Sequence, residues 1–354
     1  MGELMKMGAN FTAIDLFAGC GGLSEGLRQA GFNVIAAVEI NKYAAEIYAA
    51  NHKETLLFNE DIRKLDMEKI NEILNGETLY LLAGCPPCQG FSSMRRLNRK
   101  EPVDDPRNDL ILEYLRFVKE LMPLTLMMEN VPSIINYDLF KHVANELKAM
   151  GYNIDFAVVN VSKYGVPQRR KRFVLVGSRI DEIKVSPGND ERRTVKDVIG
   201  DLESAYNSAD PVHKIFPKHN ARIQEMINKI PKNGGSRRDL PEEYILDCHK
   251  KDNIGFNDVY GRLKWDNVSS TITGGCLNPS KGRFLHPEEN RCISAREASL
   301  LQTFPPDYVF LAHIPKTSLA LMIGNALPPM FSKIQSANIF SHIAEHYDKK
   351  RENK

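Results

Sequence analysis

Cysteine, tryptophan and long apolar runs are all scarce in this chain of 354 residues. Six cysteines are too few for a disulfide scaffold at this length and point to a reducing cytosol. No apolar run approaches ~18 residues, so no membrane span is expected. The segment from Met1 to Phe11 has no apolar core of the kind a secretory signal needs. A dominant charge is missing too: 47 Lys+Arg against 45 Asp+Glu leave +2, which excludes a histone-like polyelectrolyte but not a local basic face. No internal repeat or low-complexity tract appears. What is present is 42% hydrophobic and 26% charged residues, enough apolar material to exclude a wholly disordered chain. At roughly 100–200 residues per domain, the length implies two domains or one with a large insertion.

The first 180 residues alternate short apolar runs with helical stretches. Strands are expected over 11–17, 34–38, 79–83, 124–128, 154–161 and 173–176, and helices over 23–30, 42–51, 110–121 and about 137–150. That rhythm implies an α/β fold built on a parallel sheet covered on both faces. After Ser178 the rhythm is lost, with scattered Gly, Pro, Asn and Asp and strand-like pieces such as Ser270 to Thr273. From His213 to Arg238, seven Lys and Arg stand against the single acid Glu225, either a solvated helix face or a surface for a polyanion. A last helix is expected from Met330 to His346, burying Phe331, Ile334, Ile339 and Ile343. The single Trp265 is expected in the packed interior.

Two turns carry the chemistry. Between the first strand and helix stand Asp15, Phe17, Gly19, Gly21 and Gly22, and glycines there let the backbone approach a ligand closely. A dinucleotide fingerprint would need Gly at position 24, which is Ser24, so an NAD reading is weakened. Glu39 closes the second strand, where a carboxylate can accept both hydroxyls of a ribose. Asp61 and Ile62, after the run Leu56 to Phe58, are candidates to meet an adenine; a structural turn with unrelated acids is the alternative.

The second turn, Gly84-Cys-Pro-Pro-Cys-Gln-Gly-Phe-Ser92, follows a strand and leaves three readings open. Zinc would require a second close cysteine pair, which Cys20, Cys248, Cys276 and Cys292 do not form, and no metal is expected. A redox dithiol should open a helix directly, yet a polar stretch follows. A single nucleophilic thiol on a strand-end turn is the third reading, and it needs cations or aligned N–H groups nearby. Glu129-Asn-Val131 after one strand and Gln168-Arg-Arg-Lys-Arg172 before another would supply ionic groups at the crevice of such a sheet.

In this order, the segments resemble the cytosine-5 DNA methyltransferases of the prokaryotic restriction-modification type. The resemblance rests on Phe17-Ala-Gly-Cys-Gly-Gly22, Pro86-Pro-Cys-Gln-Gly-Phe-Ser92, Glu129-Asn-Val131, Gln168-x-Arg170-x-Arg172, Arg296-Glu-Ala298, Leu301-Gln-Thr-Phe-Pro305 and Gly324-Asn-Ala326. It spans about Asp15 to Pro329. It implies a Rossmann-like domain binding S-adenosyl-L-methionine (1–180), a smaller irregular target-recognition domain (181–312) and a C-terminal segment returning to the first domain (313–354). Cofactor contacts are expected from Phe17, Gly19, Gly21, Gly22, Glu39, Asp61, Ile62, Asn325 and Ala326, with S-adenosyl-L-homocysteine as product. The family's Thr-Ile element matches Thr271-Ile272, and Arg296 to Ala298 is expected to be structural. The chain departs from the commonest pattern at Cys85, often Gly or Phe in relatives.

The reaction class explains the residue types. Cytosine C5 is a poor nucleophile; adding a thiolate at C6 makes an enamine whose C5 can take a methyl group. Cys88 is the expected thiolate, and Glu129, carrying a proton, the partner of N3 and the exocyclic amine. Arg170, and behind it Arg172, is expected at the O2 edge, with Asn130 supporting the loop. The target base must leave the duplex. The Ser92 to Asp109 stretch, with Arg95, Arg96, Arg99 and Lys100, reads as a closing loop. Gln89, Ser92, Arg95, Arg96, Arg237, Arg238 and Thr271 are the candidate contacts to double-stranded DNA. A monomer in the cytoplasm, associated with the nucleoid and paired with a restriction endonuclease, completes the expectation. The competitors are a tRNA cytosine-5 methyltransferase, a dithiol protein using Cys85 and Cys88, and a DNA-binding regulator.

Overall fold

The computed structural model describes residues 10–87, 109–245 and 258–352. The chain divides into two compact units, Met1–Asn160 with Lys171–Gly188 and Leu327–Lys354, and Val161–Arg170 with Asn189–Ala326.

The first unit is a seven-stranded sheet. Its elements are β1 (Thr12–Leu16), α1 (Gly22–Gln29), β2 (Asn33–Val38), α2 (Lys42–Asn51), β3 (Leu56–Phe58), α3 (Met67–Leu74), β4 (Leu81–Gly84), α4 (Leu110–Leu121), β5 (Thr125–Asn130), α5 (Asp138–Ala149), β6 (Asn153–Asn160) and β7 (Lys171–Ser178). The order is β3-β2-β1-β4-β5-β7-β6, a Rossmann-like arrangement. β1, β4 and β5 are buried at every position, as expected of central strands covered on both faces, and their sequences are correspondingly mostly apolar. β1 to β5 are parallel, whereas β7 runs antiparallel to both β5 and β6. The chain winds outward from β1 through β2 and β3, then resumes at β4 on the other side of β1. The crevice beyond the carboxyl ends of β1 and β4 is therefore the place where such sheets take ligands.

Ile14, Leu16, Leu82, Leu126 and Phe173 from the strands meet Tyr114 and Phe117 of α4 in the main core. Each contributes about 1.5–3 kcal/mol through burial, so this layer holds the strand ends in place. The helix α3 has no counterpart in the sequence reading; Asp66 caps it by accepting from the Glu68 N–H, and left-handed Asn75 ends it.

The second unit contains α6 (Lys196–Ile199), α7 (Ala221–Lys229), α8 (Ala295–Leu301) and α9 (Lys316–Asn325). Ser270 to Thr273 form no strand, and among the described residues this unit shows only isolated bridges such as Gln168 with Ser269. Buried loops leave carbonyls without ladder partners, and arginines supply the donors. Arg262, fully buried, donates to the carbonyls of Ile227, Ile230, His286 and Glu289 and to Asn290 Oδ1. Arg291 grips Glu297 through both guanidinium ends at 2.7 and 2.8 Å. Met226, Ile227, Ile230 and Leu285 belong to a separate apolar cluster of this unit.

The division falls at other residues than the expected 180 and 312. Residues 181–188 stay with the sheet, through Val185 N–H to Asp155 Oδ2 at 2.9 Å. Residues 161–170 leave it, because Arg169 N–H bonds the Ser269 carbonyl and Ser269 N–H bonds that of Pro167. α9 also belongs to the second unit: a Cβ on Gly324 would lie 2.0 Å from the Thr273 carbonyl carbon, so only glycine allows that approach. The last helix, α10 (Pro329–Glu352), returns to the first unit with Phe331, Ile339 and Ile343 buried and Ile334 half-buried. Gly26 lets it seat on α1, since a Cβ there would meet Ser332 at 2.3 Å, and Ser332 Oγ donates to the Leu23 carbonyl.

Candidate active site

The glycine turn leaves β1 through three left-handed residues, Phe17 (φ 63°), Gly19 (φ 57°) and Gly21 (φ 91°), before Gly22 opens α1. A Cβ at Gly19 would meet nothing within 4 Å, so its backbone conformation, rather than crowding, calls for glycine, and the turn forms an open cradle. Glu39 accepts the Gly19 N–H through Oε2 at 2.8 Å and the Asn41 N–H through Oε1 at 2.6 Å. Burial pushes its carboxyl above the ordinary range, while these donors pull the other way. Ser24, which takes the place of a fingerprint glycine, donates to Asp15 Oδ2 at 2.6 Å and joins Tyr48 OH at 2.7 Å. The turn thus stands on a buried polar triad, and burial pushes Asp15 up to about 7.

Ile40, directly after Glu39, is 65% exposed and offers an apolar surface beside the cradle. Asp61 is held by Arg63, Nη2 to Oδ2 at 2.7 Å, which keeps its carboxyl below the ordinary range. Ile62 differs from expectation. Its side chain is buried in the main core, whereas Ile40, which the sequence reading passed over, is exposed, as is Leu56 of β3. The available signal was the isoleucine directly after the strand-end acid. Carboxylate, open glycine cradle and apolar surface fit a nucleoside-bearing cofactor such as S-adenosyl-L-methionine.

β5 ends in Glu129 and Asn130, both buried. Arg172 at the start of β7 donates from Nε to Glu129 Oε1 at 2.8 Å; burial lowers its pKa and the Glu129 charge opposes that. The antiparallel register that sets Glu129 opposite Val174 brings Arg172 to this carboxylate. Asn130 Nδ2 donates to the Pro86 carbonyl at 3.0 Å and its Oδ1 accepts the Val131 N–H, tying the second turn to β5. Cys88, Gln89, Ser92, Arg95 and Arg96 lie outside the described residues.

In the second unit, the motif residues form a hydrogen-bonded knot. Arg170 Nη1 donates to the carbonyls of Ile272 and Gly324, each at 2.8 Å, and Nη2 to that of Ala326. Gln168 accepts the Ile272 N–H and donates to Gln302, whose Nε2 donates to the Ile323 carbonyl. Thr271 Oγ1 donates to the Arg169 carbonyl at 2.5 Å, and Asn325 is exposed.

A family profile described as C-5 cytosine-specific DNA methylase matches residues 11–341. The chain belongs to that family. This cytosine-5 DNA methyltransferase is 33% identical over 353 residues to the type II methylase M.HgiDII of Herpetosiphon aurantiacus, covering 96% of this chain and 98% of that one. It is 33% identical over 333 residues to the type II methyltransferase M1.HphI of Haemophilus parahaemolyticus, covering 92% and 85%. Among solved structures it is similar to a putative DNA modification methyltransferase encoded within an Escherichia coli prophage (TM-score 0.68, 26% identity, 95% and 100% covered). It shares the fold of Spodoptera frugiperda DNMT2 (TM-score 0.65, 18% identity, 94% and 100% covered).

Within this methyltransferase Arg170 and Arg172 have different surroundings. Arg170 is 2% exposed and bonded to backbone carbonyls, whereas Arg172 faces Glu129. The pair Arg237 and Arg238 also separates: Arg237 is 5% exposed, Arg238 exposed, in a short turn whose capping box joins Ser236 and Asp239. Lys232 is tied back to the Glu288 carbonyl and Asn290. Arg296 bonds Asp210 and the Tyr308 carbonyl, while Glu297 holds Arg291. Trp265 is half-buried, edge-on to His286, with Nε1 donating to Glu288 at 2.6 Å. No group of three or more metal-ligating side chains occurs among the described residues.

Proposed function

We propose that this S-adenosyl-L-methionine-dependent DNA cytosine-5 methyltransferase flips its target cytosine out of a duplex and attacks it with Cys88. The observation that carries the reading is the ion pair between buried Glu129 and half-buried Arg172 at the sheet's crevice, beside the turn that Asn130 ties to Pro86 and that leads into Cys88. The Cys88 thiolate adds to C6 as Glu129, whose carboxylate Arg172 holds, relays a proton from solvent to N3, so the charge that develops on the ring is quenched where it forms. Arg172 orients Glu129 and, at the same edge of the base, favours both the thiolate and the O2 oxygen. Once C5 has taken the methyl group, loss of the C5 proton to solvent restores the double bond and expels the thiolate, and N3 returns its proton to Glu129. Arg170 acts as a positioning residue, holding the Thr271–Ile272 and Gly324–Ala326 segments.

When bound, S-adenosyl-L-methionine supplies the electrophilic methyl. Phe17, Gly19, Gly21 and Gly22 would cradle it, Glu39 would take the ribose hydroxyls, and Asp61 and Ile40 would meet the adenine, with Asn325 and Ala326 contributing further contacts. Gln89, Ser92, Arg95, Arg96, Arg238 and Thr271 are the proposed DNA contacts. The type II names of the relatives support a modification role paired with an endonuclease cutting the same sequence. A monomer working in the cytoplasm on nucleoid DNA fits that role, and no helix among the described residues is long and apolar enough to cross a membrane. Methyl transfer from labelled S-adenosyl-L-methionine to duplex DNA and to tRNA tests the substrate. Transfer to tRNA alone would overturn the DNA reading, and bisulfite sequencing of DNA from expressing cells would show which cytosine is modified.

A further inference from the structure

Cys85 has no part in that mechanism, yet the sheet delivers it to the mechanism's acid. The ladders set Asp15 beside Ala83, Ala83 beside Met127, and Glu129 beside Val174. Side chains alternate along each strand, so residues two apart share a face. Asp15, Ala83 and Met127 therefore lie on one side, and Cys85, Glu129 and Val174 follow one step nearer the crevice on that same side. Arg172, two residues before Val174, completes the row.

The backbone of Cys85 is fixed independently. Its N–H donates to the Leu16 carbonyl at 3.2 Å. The preceding Gly84 sits where a Cβ would lie 3.0 Å from that carbonyl oxygen and 3.2 Å from Tyr114, so the strand end cannot shift easily. On the other side, Asn130 holds the Pro86 carbonyl.

We propose that Cys85 is a positioning residue of the methyl-transfer reaction, its thiol donating to Glu129 and holding the carboxylate in register with Arg172. The thiol is suited to donate rather than to attack. Burial, followed by the charges of Glu129 and Asp15, pushes it well above the ordinary thiol range, so it keeps its proton and does not compete with Cys88 for C6. The register sets Cys85 one step past the Gly84–Met128 pair, beside Glu129. Arg172 Nε occupies Glu129 Oε1, and the thiol adds a second restraint on a side chain whose rotation would misplace the N3 contact.

The inference rests on the reading of Glu129 as the acid. Its test is a double-mutant cycle between Cys85→Ala and Glu129→Gln, with Cys85→Ser alongside, on the full-length enzyme. Single-turnover methylation of duplex DNA is measured with the Kd values for S-adenosyl-L-methionine and duplex and the thermal midpoint of each variant. Cys85→Ala should slow the single-turnover step about 3–10-fold, the range of one net hydrogen bond, while both Kd values stay within about 2-fold. Cys85→Ser, which keeps a donor, should recover most of that loss. In the Glu129→Gln background the Cys85→Ala effect should shrink to less than about 2-fold. A full effect of Cys85→Ala in that background, equal losses in Cys85→Ala and Cys85→Ser, or no loss in Cys85→Ala would overturn the inference while leaving the acid intact. If Cys85→Ala does not fold, Cys85→Val takes its place in the same cycle. A wild-type rate in Glu129→Gln alone would overturn the acid reading, and this inference with it.

Discussion

Asp15 permits a test of the fold that does not pass through catalysis. The residue has no exposed surface; Ser24 donates to Oδ2, and Oδ1 has no hydrogen-bond partner among the described residues. Burial, offset in part by Ser24, raises its pKa from 3.8 to about 7. A carboxyl whose folded-state pKa lies above its unfolded value holds a proton in the folded chain after the unfolded chain has lost it. Its contribution to stability therefore falls as pH rises from about 4 to about 7, and is constant above that. The full fall is on the order of 4 kcal/mol, at about 1.36 kcal/mol per pH unit. Asp15→Asn keeps the shape and removes the titration. Between pH 5 and pH 8 the wild type should lose roughly 2–3 kcal/mol relative to the variant. Urea unfolding of both proteins at several pH values, followed by circular dichroism, measures that difference. Parallel pH dependence in the two proteins would refute a buried, protonated Asp15.

Cys88→Ser should abolish methylation while S-adenosyl-L-methionine binding survives, and Glu129→Gln should keep the fold and lose about 10²–10⁴-fold in rate; single-turnover assays and calorimetric titration check both. Arg238→Ala should reduce the slope of log K against log salt by about 0.9 if it contacts one phosphate, equally on target and non-target duplexes. Arg237→Ala should leave that slope unchanged and lower stability by about 1–3 kcal/mol, because Arg237 is buried. Salt titrations and thermal melts separate the two arginines. Ile40→Ser should weaken S-adenosyl-L-methionine binding about 10-fold or more through lost apolar contact, with no drop in melting temperature, since the side chain is 65% exposed.

The sequence by itself determined the frame. Mostly apolar runs mark β1, β4 and β5 because central parallel strands are buried on both faces, and glycines mark the turn because φ near 60–90° suits a residue without a Cβ. The apolar spacing of α10 was legible for the same local reason. Glu129 and Asn130 stood out because charged and polar residues close a strand that is otherwise apolar. Antiparallel β7 and its consequences were not legible, since strand direction leaves no mark on periodicity. Nor was the sorting of the arginines. Arg170 reaches a carbonyl 154 residues away, Arg172 finds Glu129 on a neighbouring strand, and Arg237 is buried while Arg238 is exposed. A guanidinium has five donors and no intrinsic target. Which carbonyl or carboxylate it meets is decided by segments distant in the chain, and only the tertiary structure brings them together.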